Sequence, residues 1–95
     1  MLRKVSNKEV RGPSFSISVP DIHRVLYSEG AKVASVGIEG GTNSKGEVNW
    51  LVYSQTLRAW EAPHQMDEMS PKKRAEILDH ISQAMNLLEM PHEIV

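Results

Sequence analysis

Four histidines, His23, His64, His80 and His92, are the only imidazoles in this 95-residue chain. Imidazole is the side chain best suited to proton transfer or metal ligation near neutral pH. Their separations match no zinc pattern. A helical metal site needs two histidines at i and i+4, or a histidine with a glutamate at i+3, so that both ligands project from one face. Glu76 and His80 do stand at i and i+4. Glu76 falls on the polar flank of the predicted helix, however, and no third ligand accompanies it. The two therefore read as a surface pair, of the kind that contributes about 0.2–0.5 kcal/mol. With no cysteine in the chain, disulfides, thiolate zinc sites, iron–sulfur clusters and cysteine nucleophiles are excluded together.

The run Gly40-Gly41-Thr42-Asn43-Ser44-Lys45-Gly46 has the glycines that let backbone amides approach a phosphate. It lacks the order a phosphate loop requires, in which Gly-Lys precedes Ser or Thr at the start of a helix. Here Lys45 precedes Gly46 and a strand follows, so a hairpin tip is the expectation. Ser54 lies nearest to acidic and histidine residues in sequence, but no nucleophile elbow surrounds it. The residues point to no enzyme, no metal and no cofactor.

Charge is informative by its distribution. The formal net charge is -1, but Met1 to Arg11 holds Arg3, Lys4, Lys8 and Arg11 against Glu9, a local +3 that leaves -4 for the rest. Such an arm either binds phosphates with salt-dependent affinity or is a solvated terminus. No aromatic residue interleaves it for base stacking. Residues 1–13 are thus expected to form a basic, loosely ordered arm on a single domain of residues 14–95. Lys72, Lys73 and Arg74 occupy a predicted first helical turn, where the macrodipole disfavours cations. Asp67 and Glu68 are the expected compensating partners. Arg74 aligns with Ile81 and Leu88 on the helical wheel, so its head must reach solvent or meet a carboxylate at the sheet edge.

These residues need elements to position them, and a 10.7 kDa chain has room for one core. Ser14–Val19 alternates Phe15, Ile17 and Val19 with serines, which is strand periodicity. Residues 22–28 fit a strand or a helical face. The Glu29-Gly30 turn and the alternation over Ala31–Glu39 favour a strand paired as a hairpin. Gly40–Glu47 is expected as an exposed loop and Val48–Ser54 as the central strand, carrying Trp50 as a core anchor. Leu57 and Trp60 follow on one irregular turn, with Trp60 a core anchor. Ser70-Pro71 opens a helix running to about Glu89. Its stripe of Ile77, Leu78, Ile81, Ala84, Met85 and Leu88 must cover a sheet, with Ile77 and Ile81 as anchors. His92–Val95 is a candidate edge strand. The expected fold is α+β, a small antiparallel sheet of three to five strands with one long C-terminal helix packed on one face. No apolar leader or membrane-length run is present, so a soluble, cytoplasmic protein is expected.

The order of these elements resembles the immunity protein 74 family of bacterial polymorphic toxin systems, of the contact-dependent inhibition type. The resemblance rests on the strand Trp50-Leu51-Val52-Tyr53-Ser54, then Leu57-Arg58-Ala59-Trp60-Glu61-Ala62-Pro63, then Ser70 leading a helix with Ile77 and Ile81. It covers about Tyr27 to Leu88. It implies a domain that binds a cognate toxin, in many cases a nuclease, and blocks it in the cytoplasm without catalysis. An acidic body would steer encounter with a basic cleft. Glu39, Glu47, Glu61, Asp67 and Glu68 flank loops expected at one edge of the sheet and are the candidate toxin-binding residues. Two other readings stay open: a small nucleic-acid-binding domain using the basic arm, and an enzyme in which histidines converge on a carboxylate.

Overall fold

The computed structural model describes residues 2–95. Seven strands form one sheet in sequence order: β1 (Arg3–Ser6), β2 (Glu9–Arg11), β3 (Ser16–Asp21), β4 (Arg24–Glu29), β5 (Lys32–Thr42), β6 (Val48–Tyr53) and β7 (His92–Ile94). The first six are an antiparallel meander. The α-helix α1 (Pro71–Leu87) carries the chain back so that β7 lies parallel to β6. The result is a curled half-barrel, 41% strand and 21% helix. This overturns the expectation of a three-to-five-stranded antiparallel sheet.

Three segments account for the difference. The stretch expected as a loose arm supplies β1 and β2, and Val10 in β2 is fully buried. A three-residue strand with one inward apolar side chain is too short to show alternation in sequence, so only its partner β3 defines it. Met1, the first residue of that expected arm, lies outside the described residues. At the other edge β7 pairs Trp50 with His92 and Val52 with Ile94. The glycine-rich run is strand as far as Thr42, because Gly40 and Gly41 face Trp50 and Asn49 across the ladder. The Trp50 ring lies against Gly40, where an added Cβ would meet it at 3.4 Å. The central position belongs to β4, and β6 is sixth of seven.

Alternation then decides what is inside. On β3 to β5 the inward positions Ile17, Val25, Tyr27, Ala34 and Val36 are at most 1% exposed, and Val52 of β6 is fully buried. The helix lays Ile77, Ile81, Ala84 and Met85 on them, all fully buried. Ser70 caps the helix by accepting the Lys73 backbone amide at 3.0 Å, and Pro71 takes the first helical position, as capping chemistry predicts. Leu57 and Trp60, 1% and 3% exposed, close the core after a short 3-10 turn (Ser54–Thr56). Among the described residues no charged or polar residue is fully buried, and no helix is long and apolar enough to cross a membrane.

Candidate functional site

The histidines are placed apart, each with its own neighbours. His23 is exposed in the β3–β4 turn, where its backbone amide donates to the Asp21 carboxylate at 2.8 Å. His64 meets Asp67 at 3.1 Å. The His80 ring stacks on Phe15, centroids 4.2 Å apart and planes 12° apart, rather than pairing with Glu76. His92 bonds to the Ser82 hydroxyl at 2.7 Å through Nε2. Among the described residues no three of His, Asp or Glu stand close enough to hold a metal ion.

Ionic chemistry gathers instead at the end of the half-barrel where α1 begins. The Lys73 ammonium donates to Glu29 at 2.6 Å, and the Tyr27 hydroxyl donates to the same carboxylate oxygen at 2.6 Å. Burial pushes the Glu29 carboxyl up, but these two donors outweigh it and hold it below the ordinary glutamate value. Burial and the neighbouring Glu29 carboxylate together raise the Tyr27 phenol well above its usual range. Lys73 therefore finds its counter-charge on β4 and, at 3.8 Å, on Glu76, not on Asp67 or Glu68. Arg74 takes neither of the two courses expected of it: its guanidinium donates to the Leu57 carbonyl at 2.9 Å and to the Ser54 carbonyl at 2.5 Å. It satisfies backbone acceptors in the turn that leads to Trp60. Asp67 is held below the usual aspartate value by His64 and then by Lys32 at 3.4 Å, which pins the loop between Trp60 and α1 to the start of β5. The Glu61 amide adds a 2.7 Å bond to the Val33 carbonyl.

The opposite end has a different character. Glu39 on β5 accepts from the Tyr53 hydroxyl at 2.9 Å, which raises the Tyr53 phenol. Glu39, Leu51 and Glu93 lie side by side across β5, β6 and β7. Glu47 accepts from Asn43 at 3.1 Å in the hairpin tip, which turns through Gly46 at φ 79°. On the concave side an apolar groove of about 250 Å³ opens between Val19, Ile22, Trp50 and Met90, with Asn7, Lys8 and Asp21 at its rim. Ile22 is 65% exposed there and Trp50 is half-buried. A wider depression of about 400 Å³ beside Arg3 and Arg11 is open to solvent, and its Arg11 is already paired with Glu9 at 2.7 Å.

The five candidate carboxylates do not form one surface. Glu61 and Asp67 belong to the loop joined to the start of β5, and Glu68 follows in the same loop. Glu39 and Glu47 lie toward the far end of that strand, and the eight residue-to-residue steps from Lys32 to Gly40 span about 26 Å. Sequence reasoning missed the groove. Its one local signal was Ile22, an apolar residue set between Asp21 and His23 in turn chemistry.

No curated protein and no solved structure matches the chain. A family model does: the one described as Immunity protein 74 matches residues 21–94, most of the chain, taking in β4 to β7 and the whole of α1. With the Trp50 strand, the Trp60 turn and the Ser70-capped helix all inside the matched span, the chain belongs to the Immunity protein 74 family.

Proposed function

We propose that this protein is the non-catalytic inhibitor of one cognate bacterial toxin in a polymorphic, contact-dependent inhibition system, acting in the cytoplasm of the cell that makes the toxin. The observation that carries the reading is the family match over residues 21–94. Immunity proteins protect by occupying a toxin, so the domain needs a complementary surface and no reactive group of its own. A nuclease suits the partner role best, because a cleft that binds nucleic acid is basic. The -4 carried by residues after Arg11 would speed encounter with it.

The test is co-expression with the toxin domain encoded immediately upstream of this gene. Growth is restored if the reading is right, and the purified pair elutes as one complex. Growth arrest unchanged by co-expression, with the protein present and folded, would sink the reading.

A further inference from the structure

We infer that the toxin docks by adding a strand of its own to the open edge of β7, with a cationic side chain opposite Glu93 and an apolar one beside Ile94. The inference rests on the toxin-binding reading above and names the surface that reading leaves open. The backbone sets the kind of occupant. Trp50 donates its amide to the Pro91 carbonyl, Val95 donates to the Val52 carbonyl, and Ser54 donates to the Val95 carbonyl. Backbone groups alternate in direction along a strand, so Pro91, Glu93 and Val95 face β6 and the N–H and C=O groups of His92 and Ile94 point outward. β7 ends the sheet, and Glu93, Ile94 and Val95 are all exposed. Two amides and two carbonyls are thus held in ladder geometry, which an extended segment satisfies in register.

The two edges of the half-barrel are not equivalent. β1 carries Arg3, Lys4 and a bulge between Lys4 and Ser6, devices that keep an edge from pairing. β7 has no lysine, no arginine and no bulge, and Ile94 and Val95 leave 43% and 49% of their surface in water. Side-chain charge then selects the partner. Glu39, Leu51 and Glu93 form one row across β5, β6 and β7, on the convex face, because the neighbouring Val52 points into the core. Among the described residues neither carboxylate forms an ion pair. Tyr53 and Asn49 hold them as neutral donors, and Arg24, opposite Gly37 in the next row, is matched by Asp21 at 3.5 Å. An added strand continues the row and brings a side chain to about 5 Å from Glu93, where a lysine or arginine is favoured. A second copy of this chain is disfavoured there. Two-fold pairing that sets His92 against Ile94 also sets Glu93 against Glu93, and like charges directly opposite destabilise a sheet.

The test follows backbone amide exchange by NMR with and without an inactivated form of the upstream-encoded toxin domain, with calorimetry and thermal melts on every variant. In the complex the His92 and Ile94 amides should gain at least about tenfold protection. Ile94→Pro removes an outward amide, takes no bond from β6, and should weaken binding by at least about tenfold. Glu93→Lys should weaken binding by at least about fivefold and flatten its salt dependence. Met66→Arg, on the loop joined to the start of β5 and 91% exposed, should bind within about twofold of the wild type. Unchanged His92 and Ile94 exchange on binding, or wild-type affinity in folded Ile94→Pro, overturns strand addition while leaving the toxin reading intact. Wild-type affinity in folded Glu93→Lys overturns the cationic occupant, and this variant decides the matter should Ile94→Pro fail to fold. A free protein that sediments as a dimer, with Ile94→Pro dissolving it, gives the edge to a second copy and overturns the inference. Absence of toxin binding by the wild type overturns both readings.

Discussion

The Lys73 ammonium lies 2.6 Å from the Glu29 carboxylate, so the first turn of α1 is tied to the central strand by a charge-assisted bond. The positive charge that the helix dipole disfavours at Lys73 is thereby matched from outside the helix. Tyr27 shares the same carboxylate oxygen, which fixes the arrangement on both strand and helix.

Acid should loosen this junction first. The folded-state pKa of Glu29 is depressed, so its contribution is present above the ordinary glutamate value and is lost as pH falls through the lower folded value. Both side chains are about 30% exposed, and Lys73→Met should therefore cost only about 1–2 kcal/mol at pH 7. Urea melts from pH 7 to pH 3 test this. The gap between wild type and Lys73→Met should shrink in acid, and a gap independent of pH would show that Lys73 acts only through its packing.

Arg74 should behave as a capping group that lysine cannot replace. Its planar guanidinium reaches two carbonyls, Leu57 and Ser54, at once. A lysine ammonium has no such fork. Arg74→Lys and Arg74→Met should each destabilise by about 1–3 kcal/mol, with the Trp60 fluorescence shifting as its turn loosens. Full rescue by lysine would argue for a simple charge effect.

Gly12 and Gly37 should respond oppositely to alanine. A Cβ at Gly12 would come within 2.5 Å of the Phe15 ring, and that ring is held by stacking on His80 and Tyr27. Gly12→Ala should cost about 1–3 kcal/mol through forced repacking. A Cβ at Gly37 would make ordinary contact with Thr56 at 3.5 Å, so Gly37→Ala should be neutral or stabilise by up to about 1 kcal/mol. Thermal melts of the two variants decide it, and equal melting temperatures would contradict the packing argument.

Removal of residues 1–13 should unfold the domain rather than trim it. Val10 is fully buried beside Ile17, and losing β2 would bare the edge of β3 as well as the core. The truncated protein is expected to lose its cooperative melt and aggregate. A truncated form that melts like the full chain would show that β1 and β2 are accessory.

Protonation of Asp67 should free the loop before α1. Its pKa is lowered by His64 and Lys32, so the pinning holds above the ordinary aspartate value and is lost as pH falls through the folded one. Asp67→Asn should raise amide exchange over residues 61–69 at pH 7 while leaving α1 protected. Exchange equal to the wild type would remove Asp67 from the pinning.

What the residues determined by themselves is local. Ser70-Pro71 and the Ile77, Ile81, Ala84, Met85 spacing set a capped amphipathic helix, because capping and a 3.6-residue period depend on near neighbours. Alternation marked β3, β5 and β6 for the same reason, and the Leu57 and Trp60 pair marked a buried turn. Tertiary structure alone decided the rest. Val10 became core only because β2 has β3 to pair with, and Gly40 became strand only because Trp50 lies across from it. Arg74 found carbonyls 17 and 20 residues away in sequence, and the five acidic residues expected at one edge fell at both ends of β5. The groove joins Val19 and Ile22 to Trp50 and Met90, a convergence set by the curl of the sheet and the length of α1, which no spacing along the chain encodes.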